Sequence, residues 1–523
     1  MIEWLGALHW GLRTAVAILA GVLTGLGFQP FGWWPLVIPG VAGLTVIVLA
    51  ARHVRTAAGF GFGYGVGFML VGINWMQIIF VEAMLGLVLV EALFYAVLAA
   101  AIKVTARTRW WPVLAAACWT AIEFTFSRFP FNGFGWMRLG YAMVDSPMAW
   151  MLPLVGVASL GFCTALLGQL CAWLLTGPSR VRGLLTAGAA ALIAVLALAG
   201  TLVPAGAQTS TTAVGYVQGG APGGGVYGLG EARTITRNQT AETIRLAEEV
   251  EAGTLSRPDF VVWPENGTDM DPFLDAATGN LVKAAVARVG VPMLVGTILE
   301  GPGTDERQTA SLWWEPDTGV VGKYIKRGIV PFGEWVPFRS LLLPLVPALR
   351  YVGAQSIPGM TPGVLPVTLA DGAELKLGIL ICYDLVYDDF VYDTVRHGGQ
   401  VGLVQSSNAM YQGTGQIQQQ FAITRVRALE LRREMLVVTT SGVSGLINAD
   451  GTVAFTEPDH VSASGVVELP VRDGVTPAAW IASWLEAAIV LLALAGLGLS
   501  LSYGRMDAVF RQSGEANGRF GRS

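Results

Sequence analysis

Of the four cysteines, Cys118, Cys163 and Cys171 fall inside apolar segments, which leaves Cys382 as a lone thiol in the polar part of the chain. It has no disulfide partner there, and C-x-x-C metal spacing is absent. Cys382 ends the apolar run Leu377-Gly-Ile-Leu-Ile and precedes Tyr383-Asp384-Leu385, which reads as a strand turning into a helix. Such a turn brings a side chain to the rim of a sheet and aims the following backbone N–H groups at it, a geometry suited to a nucleophile with an oxyanion site. A structural cysteine fits the same position, so on this feature alone both readings stay open. Two further segments set ionisable groups in apolar surroundings. Phe260-Val-Val-Trp-Pro-Glu265 delivers a carboxylate at the end of a buried strand stopped by Pro264. Tyr324-Ile-Lys326-Arg327-Gly-Ile-Val-Pro-Phe-Gly-Glu334 places a lysine and an acid around an apolar turn.

Other chemistries find little support. The polar region holds only His397 and His460, with no G-x-S-x-G elbow and no H-E-x-x-H pair, so neither a serine–histidine hydrolase nor a zinc site is expected. Gly223, Gly225 and Gly228 satisfy G-x-G-x-x-G after a strand, but within a run of glycines that ends before the helix begins. A surface loop is the better reading than a dinucleotide site. The net charge of −4, without a basic tract, argues against a nucleic-acid partner. No cofactor or metal is expected.

The elements that must position these residues follow from periodicity. β-rich runs at Ala213–Gln218, Phe260–Trp263, Met293–Gly296, Leu377–Cys382, Val401–Gln405, Leu436–Thr440 and Gly445–Ile447 alternate with helical patterns at about 231–252, 276–289, 386–397 and 415–433. The alternation predicts an α/β layered domain over 205–476, with helices covering sheets.

The rest of the chain is too apolar to be soluble. Charged residues make up 13% of the sequence, against about a quarter in soluble domains, and the deficit lies before residue 205 and after 476. About 20 apolar residues span a bilayer as a helix. Candidate spans are about 12–28, 33–51, 57–80, 84–103, 110–126, 157–177, 184–204 and 480–503. The organisation expected is therefore a transmembrane domain over 1–204 with about seven spans, the soluble domain, one last span at 480–503 and a cytoplasmic tail over 504–523. The first segment lacks a cationic start and a cleavage site, so it is expected to stay as a membrane helix.

Loop cations set the orientation. Arg52 and Arg55, then Lys103, Arg107 and Arg109, then Arg180 and Arg182, and the tail arginines Arg505, Arg511, Arg519 and Arg522 all fall on one side of an eight-span frame. That side is the cytoplasm, which puts 205–476 outside. The loops near 29–32 and 81–83 have no Lys or Arg, and 127–156 has only Arg128 and Arg138. Glu82, Glu91 and Glu123 lie in or near the spans and read as structural. Transport would call for more such groups and an internal repeat.

W-P-E, K and I-C-Y together resemble the nitrilase superfamily, whose members carry a Glu–Lys–Cys triad. The longer Y-x-K-x-x-x-V-P-F-G-E-x-V-P stretch is similar to the apolipoprotein N-acyltransferase family, as are Gly27-Phe-Gln-Pro-Phe-Gly-Trp-Trp-Pro35, Gly59-Phe-Gly-Phe-Gly-Tyr-Gly65 and the domain order. The resemblance implies an αββα sandwich outside a bacterial cytoplasmic (inner) membrane, borne by a multi-pass monomer. Cys382 would be the nucleophile, Glu265 the general base and Lys326 the oxyanion stabiliser, with Glu334, Tyr383 and Asp384 binding substrate or supporting the site. A thiol of pKa about 8.5 needs such a base at neutral pH. The reaction implied is ping-pong: Cys382 takes an acyl chain from a phospholipid, and the α-amino group of a diacylated apolipoprotein receives it. Leu341-Leu-Leu-Pro-Leu-Val-Pro-Ala-Leu349, too short and proline-broken to span, is expected to be a lid or lipid-contacting arm rather than a core-packed loop.

Three places depart from the family pattern. Asp384 stands for the Glu of I-C-Y-E, Ser407-Asn-Ala-Met-Tyr411 for N-D-A-W-F, and Thr439-Thr-Ser-Gly442 for T-N-x-G. Rival readings are a membrane-tethered amidase, in which water takes the thioester, and a non-catalytic receptor that would survive loss of Cys382.

Overall fold

Apolar helices and a pair of sheets divide the chain between them. The computed structural model describes residues 2–520, and within them the side chains of residues 3 and 5–502. The expected arginine tail therefore has its side chains outside the described residues. Among the described residues, five helices are long and apolar enough to cross a membrane: Val54–Gly72, Val81–Thr105, Pro147–Thr176, Arg180–Thr201 and Pro477–Ser502. Trp10–Gly25, Trp34–Ala50 and Trp111–Phe126 are apolar but shorter. The expected 57–80 segment stops early: its helix ends at Gly72, and a 3-10 turn at Asn74–Ile78 follows.

On the Val81–Thr105 helix, Leu85, Leu89, Leu93 and Val97 form a stripe that is 45–58% exposed, a surface that suits lipid and not water. The opposite face meets the glycine-rich helix. A Cβ on Gly61 would lie 2.2 Å from the Tyr95 carbonyl oxygen, and one on Gly65 would lie 2.6 Å from Ala92 Cα. These glycines let two apolar helices touch backbone to backbone, where van der Waals packing holds membrane helices together. Glu123 bonds across elements, as expected of a structural acid, accepting from Leu139 N at 2.8 Å and Trp119 Nε1 at 3.2 Å.

The polar region is two sheets face to face. The first has the order β13-β1-β2-β3-β4-β5, with β6 on β4. Its strands are β1 Ala207–Gln218, β2 Phe260–Val262, β3 Met293–Glu300, β4 Glu306–Glu315, β5 Gly319–Ile325, β6 Gln355–Ser356 and β13 Ala463–Asp473. The second runs β12-β11-β10-β9-β8-β7, with β7 Val364–Thr368, β8 Glu374–Ile381, β9 Val401–Ser406, β10 Met435–Thr439, β11 Gly445–Ile447 and β12 Val453–Thr456. Phe260, Val262, Leu294 and Trp313 of the first sheet meet Leu377, Ile379, Leu403 and Leu436 of the second. Helices Thr234–Glu251 and Ala276–Val289 cover the first sheet through Leu246, Val282 and Val286.

The second sheet's outer layer belongs to two cores at once. Helices Asp388–Arg396 and Gly415–Leu431 bury Val391, Tyr392, Val426 and Leu429 in a cluster continuous with the membrane helices. A set of buried charges closes that seam. Arg138, from the 127–156 segment, reaches Asp388 at 2.9 Å and Glu486 of the last helix at 3.1 Å. Arg427 pairs with Asp388 and Glu430, both at 2.6 Å. Burial opposes ionisation of Asp388, but the two arginines outweigh it and hold its carboxyl well below the usual carboxylate range. The 127–156 segment thus docks the sheet domain onto the apolar helices. Without Arg138, Asp388 keeps only Arg427 and Glu486 only Arg128, which leaves an uncompensated negative charge in the buried cluster. Arg138→Met is expected to lower stability by about 3 kcal/mol, read as a lower unfolding midpoint in detergent, and Asp388→Asn in that background should recover part of it.

Candidate active site

β2 is a short, fully buried strand of β-branched and aromatic residues in the middle of its sheet, and Pro264 ends it. Glu265 follows, only 4% exposed. One of its oxygens, Oε2, accepts the backbone N–H of Ser407 at 3.0 Å, and Oε1 accepts from Lys326 Nζ at 2.8 Å. Lys326 comes directly after β5, anchored by its own N–H on the Thr309 carbonyl at 2.9 Å. It is 1% exposed, and Glu334 faces its ammonium with both carboxylate oxygens at 3.0 Å. The turn between them is closed by Val330 N–H donating to Glu334 Oε2 at 2.8 Å. One ammonium therefore lies between two carboxylates brought from 61 residues upstream and 8 downstream.

Cys382 arrives from the other sheet. β8 ends at Ile381, and a 3-10 turn over Cys382–Val386 forms the elbow expected from the sequence. The backbone of Cys382 sits at φ +50°, left-handed and strained for a residue with a side chain. Asp384 holds this elbow closed: it accepts from Ile381 N at 3.0 Å, Gly328 N at 2.6 Å and Tyr324 Oη at 3.1 Å. Fully buried and bonded to the protein's own groups, Asp384 ties the Cys382 elbow to the Lys326 turn. A shorter acid suffices for that.

Tyr383 points away from this cluster. Its ring stacks on Trp136 with centroids 6.1 Å apart and planes 9° from parallel, and its hydroxyl donates to the Gly133 carbonyl at 3.4 Å. Of the two supporting roles expected for Tyr383 and Asp384, both contacts are internal to the protein. The departures at 407–411 and 439–442 also look different in three dimensions. What the first gives to the site is the Ser407 backbone N–H, which any residue supplies. In the second, Thr440 Oγ1 reaches the Glu265 carbonyl at 3.4 Å. The 341–349 segment folds as a helix at Arg339–Leu345 and a 3-10 turn at Pro347–Val352, neither with a buried residue, which excludes the core-packed alternative.

Sequence reasoning missed Gln420, whose Nε2 lies 3.3 Å from the Cys382 sulfur. Its signal was present but weak, as one of several glutamines at the start of a helix. It also missed Tyr411, Trp75 and Trp136, whose rings pack as a chain at 5.2 and 6.0 Å from the 407–411 loop into the membrane half.

The electrostatics divide the two ionisable partners. Burial works against charge on Lys326, but Glu265 and Glu334 outweigh it and keep the ammonium protonated well above the usual lysine range. Burial pushes the Cys382 thiol up, Glu265 adds to the rise, and Lys326 only partly offsets it. The thiolate is therefore not preformed at neutral pH, unlike a cysteine beside a histidinium. Because the folded-state value is raised, the thiolate fraction at neutral pH is below that of a free cysteine and grows only as pH rises past the ordinary range. Alkylation of Cys382 by iodoacetamide should accordingly keep accelerating through pH 9, with no plateau at acid or neutral pH.

Comparison with known proteins follows the same division. A family model described as the apolipoprotein N-acyltransferase N-terminal domain matches residues 20–170, and one described as carbon-nitrogen hydrolase matches 235–467. An apolipoprotein N-acyltransferase of Mycolicibacterium smegmatis is 30% identical over 516 residues, covering 93% of this chain and 84% of that one. One from Azotobacter vinelandii is 28% identical over 94% of this chain and 96% of its own length. Among solved structures, an amidase from Nesterenkonia sp. aligns over 51% of this chain and 93% of its own at 16% identity, with a TM-score of 0.34, too low to carry weight. On its two matched regions and its relatives along nearly the whole chain, the protein belongs to the apolipoprotein N-acyltransferase family.

Proposed function

We propose that this protein moves an acyl chain from a membrane phospholipid to the α-amino group of a diacylglyceryl-cysteine lipoprotein, through a thioester on Cys382. The observation that carries this is the Glu265–Lys326–Glu334 cluster, whose charges act on the thiol of a strained Cys382, in a domain whose helical layer is fused to a membrane half. In acylation the sulfur bonds to the ester carbonyl carbon while its proton passes to Glu265. The C–O bond then breaks, and Glu265 returns the proton to the lysophospholipid oxygen. In deacylation the amine nitrogen bonds to the thioester carbon and gives its proton to Glu265. The C–S bond breaks, and the thiolate recovers the proton. Lys326, by releasing one Glu334 oxygen, turns an N–H toward the oxyanion in both halves.

Eight spans, the five long helices and the three shorter ones, set the soluble domain over 205–476 outside the cytoplasmic membrane, with the 504–523 tail inside. The exposed apolar segment at 341–349, with Leu341 63% and Leu345 69% exposed, meets lipid beside the site. The protein acts as a monomer and needs no cofactor. Purified protein in phospholipid vesicles with a diacylated lipopeptide should yield triacylated peptide and lysophospholipid in equal amounts. Release of free fatty acid with no triacylated product would overturn the proposal and favour a hydrolase.

A further inference from the structure

The helix behind the nucleophile, Gly415–Leu431, is fastened to the membrane half at both ends. Near its C-terminus Arg427 bonds the Tyr141 hydroxyl at 2.8 Å, and Glu430 accepts from Val157 N at 2.9 Å. Near its N-terminus stands Gln419, 5% exposed, with every hydrogen-bonding site of its amide in use. Its Oε1 accepts from the indoles of Trp75 at 2.9 Å and Trp136 at 2.7 Å. Its Nε2 donates to the carbonyls of Gln29 and Gly72, both at 2.8 Å. Indoles only donate and carbonyls only accept, so these partners fix which end of the amide is which. Three separate segments of the membrane half thus converge on one side chain of the catalytic domain. The next residue, Gln420, is 3% exposed and directs Nε2 at the Cys382 sulfur from 3.3 Å.

A neutral thiol is a weak acceptor, and a thiolate is a strong one. The contact therefore gains strength at the two moments when sulfur carries charge, as it attacks the ester and as it leaves the thioester. An interaction stronger in the transition state than in the resting state accelerates the chemical step. We propose that Gln420 is a further catalytic residue whose side-chain N–H stabilises the Cys382 thiolate. Gln419 is the positioning residue that fixes it, so that the membrane half sets the geometry of the nucleophile. Trp136 extends the same link, since it donates to Gln419 and stacks on Tyr383, the residue after Cys382.

The inference rests on Cys382 being the nucleophile, and the test separates the two. Full-length protein in phospholipid nanodiscs is assayed for single-turnover acyl-enzyme formation against lipid mole fraction, and for iodoacetamide alkylation against pH. Gln420→Leu should slow acylation about 10- to 100-fold, the range for a lost bond to a charged group. The lipid dependence should be unchanged, and the alkylation profile should move to higher pH. Gln420→Glu differs by one atom, keeps the fold if the leucine variant does not, and should be slower still because its carboxylate faces the thiolate. Gln419→Glu, which touches no reacting atom, should shift the alkylation profile in the same direction as Gln420→Leu. Wild-type acylation and a wild-type profile in the folded Gln420 variants would overturn the inference and leave the nucleophile assignment standing. Acylation that persists in Cys382→Ala would overturn the assignment beneath it.

Discussion

Cys382→Ala is expected to lose acyl transfer by roughly a million-fold, the scale of removing the nucleophile from a covalent mechanism. Phospholipid binding and folding should survive, because the side chain is small and Gln420 is its only hydrogen-bond partner among the described residues. The backbone gives a second, independent expectation. At φ +50° an alanine keeps the strain of the native residue, whereas glycine adopts that conformation freely. Cys382→Gly should be as inactive as Cys382→Ala yet more stable by about 1 kcal/mol. Equal unfolding midpoints for the two variants would mean that the elbow stores no strain.

Lys326→Met should combine two losses. Removing an oxyanion donor costs about 10²–10³ in rate. It also leaves Glu265 and Glu334 facing each other with no cation, and breaking such a buried pair costs about 3–5 kcal/mol. Both effects are measurable on one sample, as single-turnover acylation and as the unfolding midpoint. Lys326→Arg should not rescue activity, since a planar fork does not replace a compact ammonium between two carboxylates.

Glu265 and Cys382 were legible because each follows an apolar strand. Glu265 follows the buried Phe260-Val-Val-Trp run and Cys382 follows Leu377-Gly-Ile-Leu-Ile, and both strands lie within a few residues of where periodicity put them. Strands with mixed patterns were not legible. β4, β5 and β13 pair in long antiparallel ladders, but their exposed or polar positions break the alternation, and partner strands supplied the order. Hydropathy also located the apolar helices, yet it hid the 127–156 segment. Arg138 and Trp136 read as loop residues there, because their partners Asp388, Glu486 and Gln419 lie more than 240 positions away. The roles of Gln419 and Gln420 depend on contacts between the two halves, and no local pattern announces those.

The central claim is a thioester on Cys382, and intact-protein mass spectrometry after incubation with phospholipid alone tests it most directly. A mass gain of one fatty-acyl chain is expected, absent from Cys382→Ala, removed by neutral hydroxylamine and discharged onto a diacylated lipopeptide with formation of the triacylated product. A protein that turns over without any adduct, or an adduct that persists in Cys382→Ala, would contradict it.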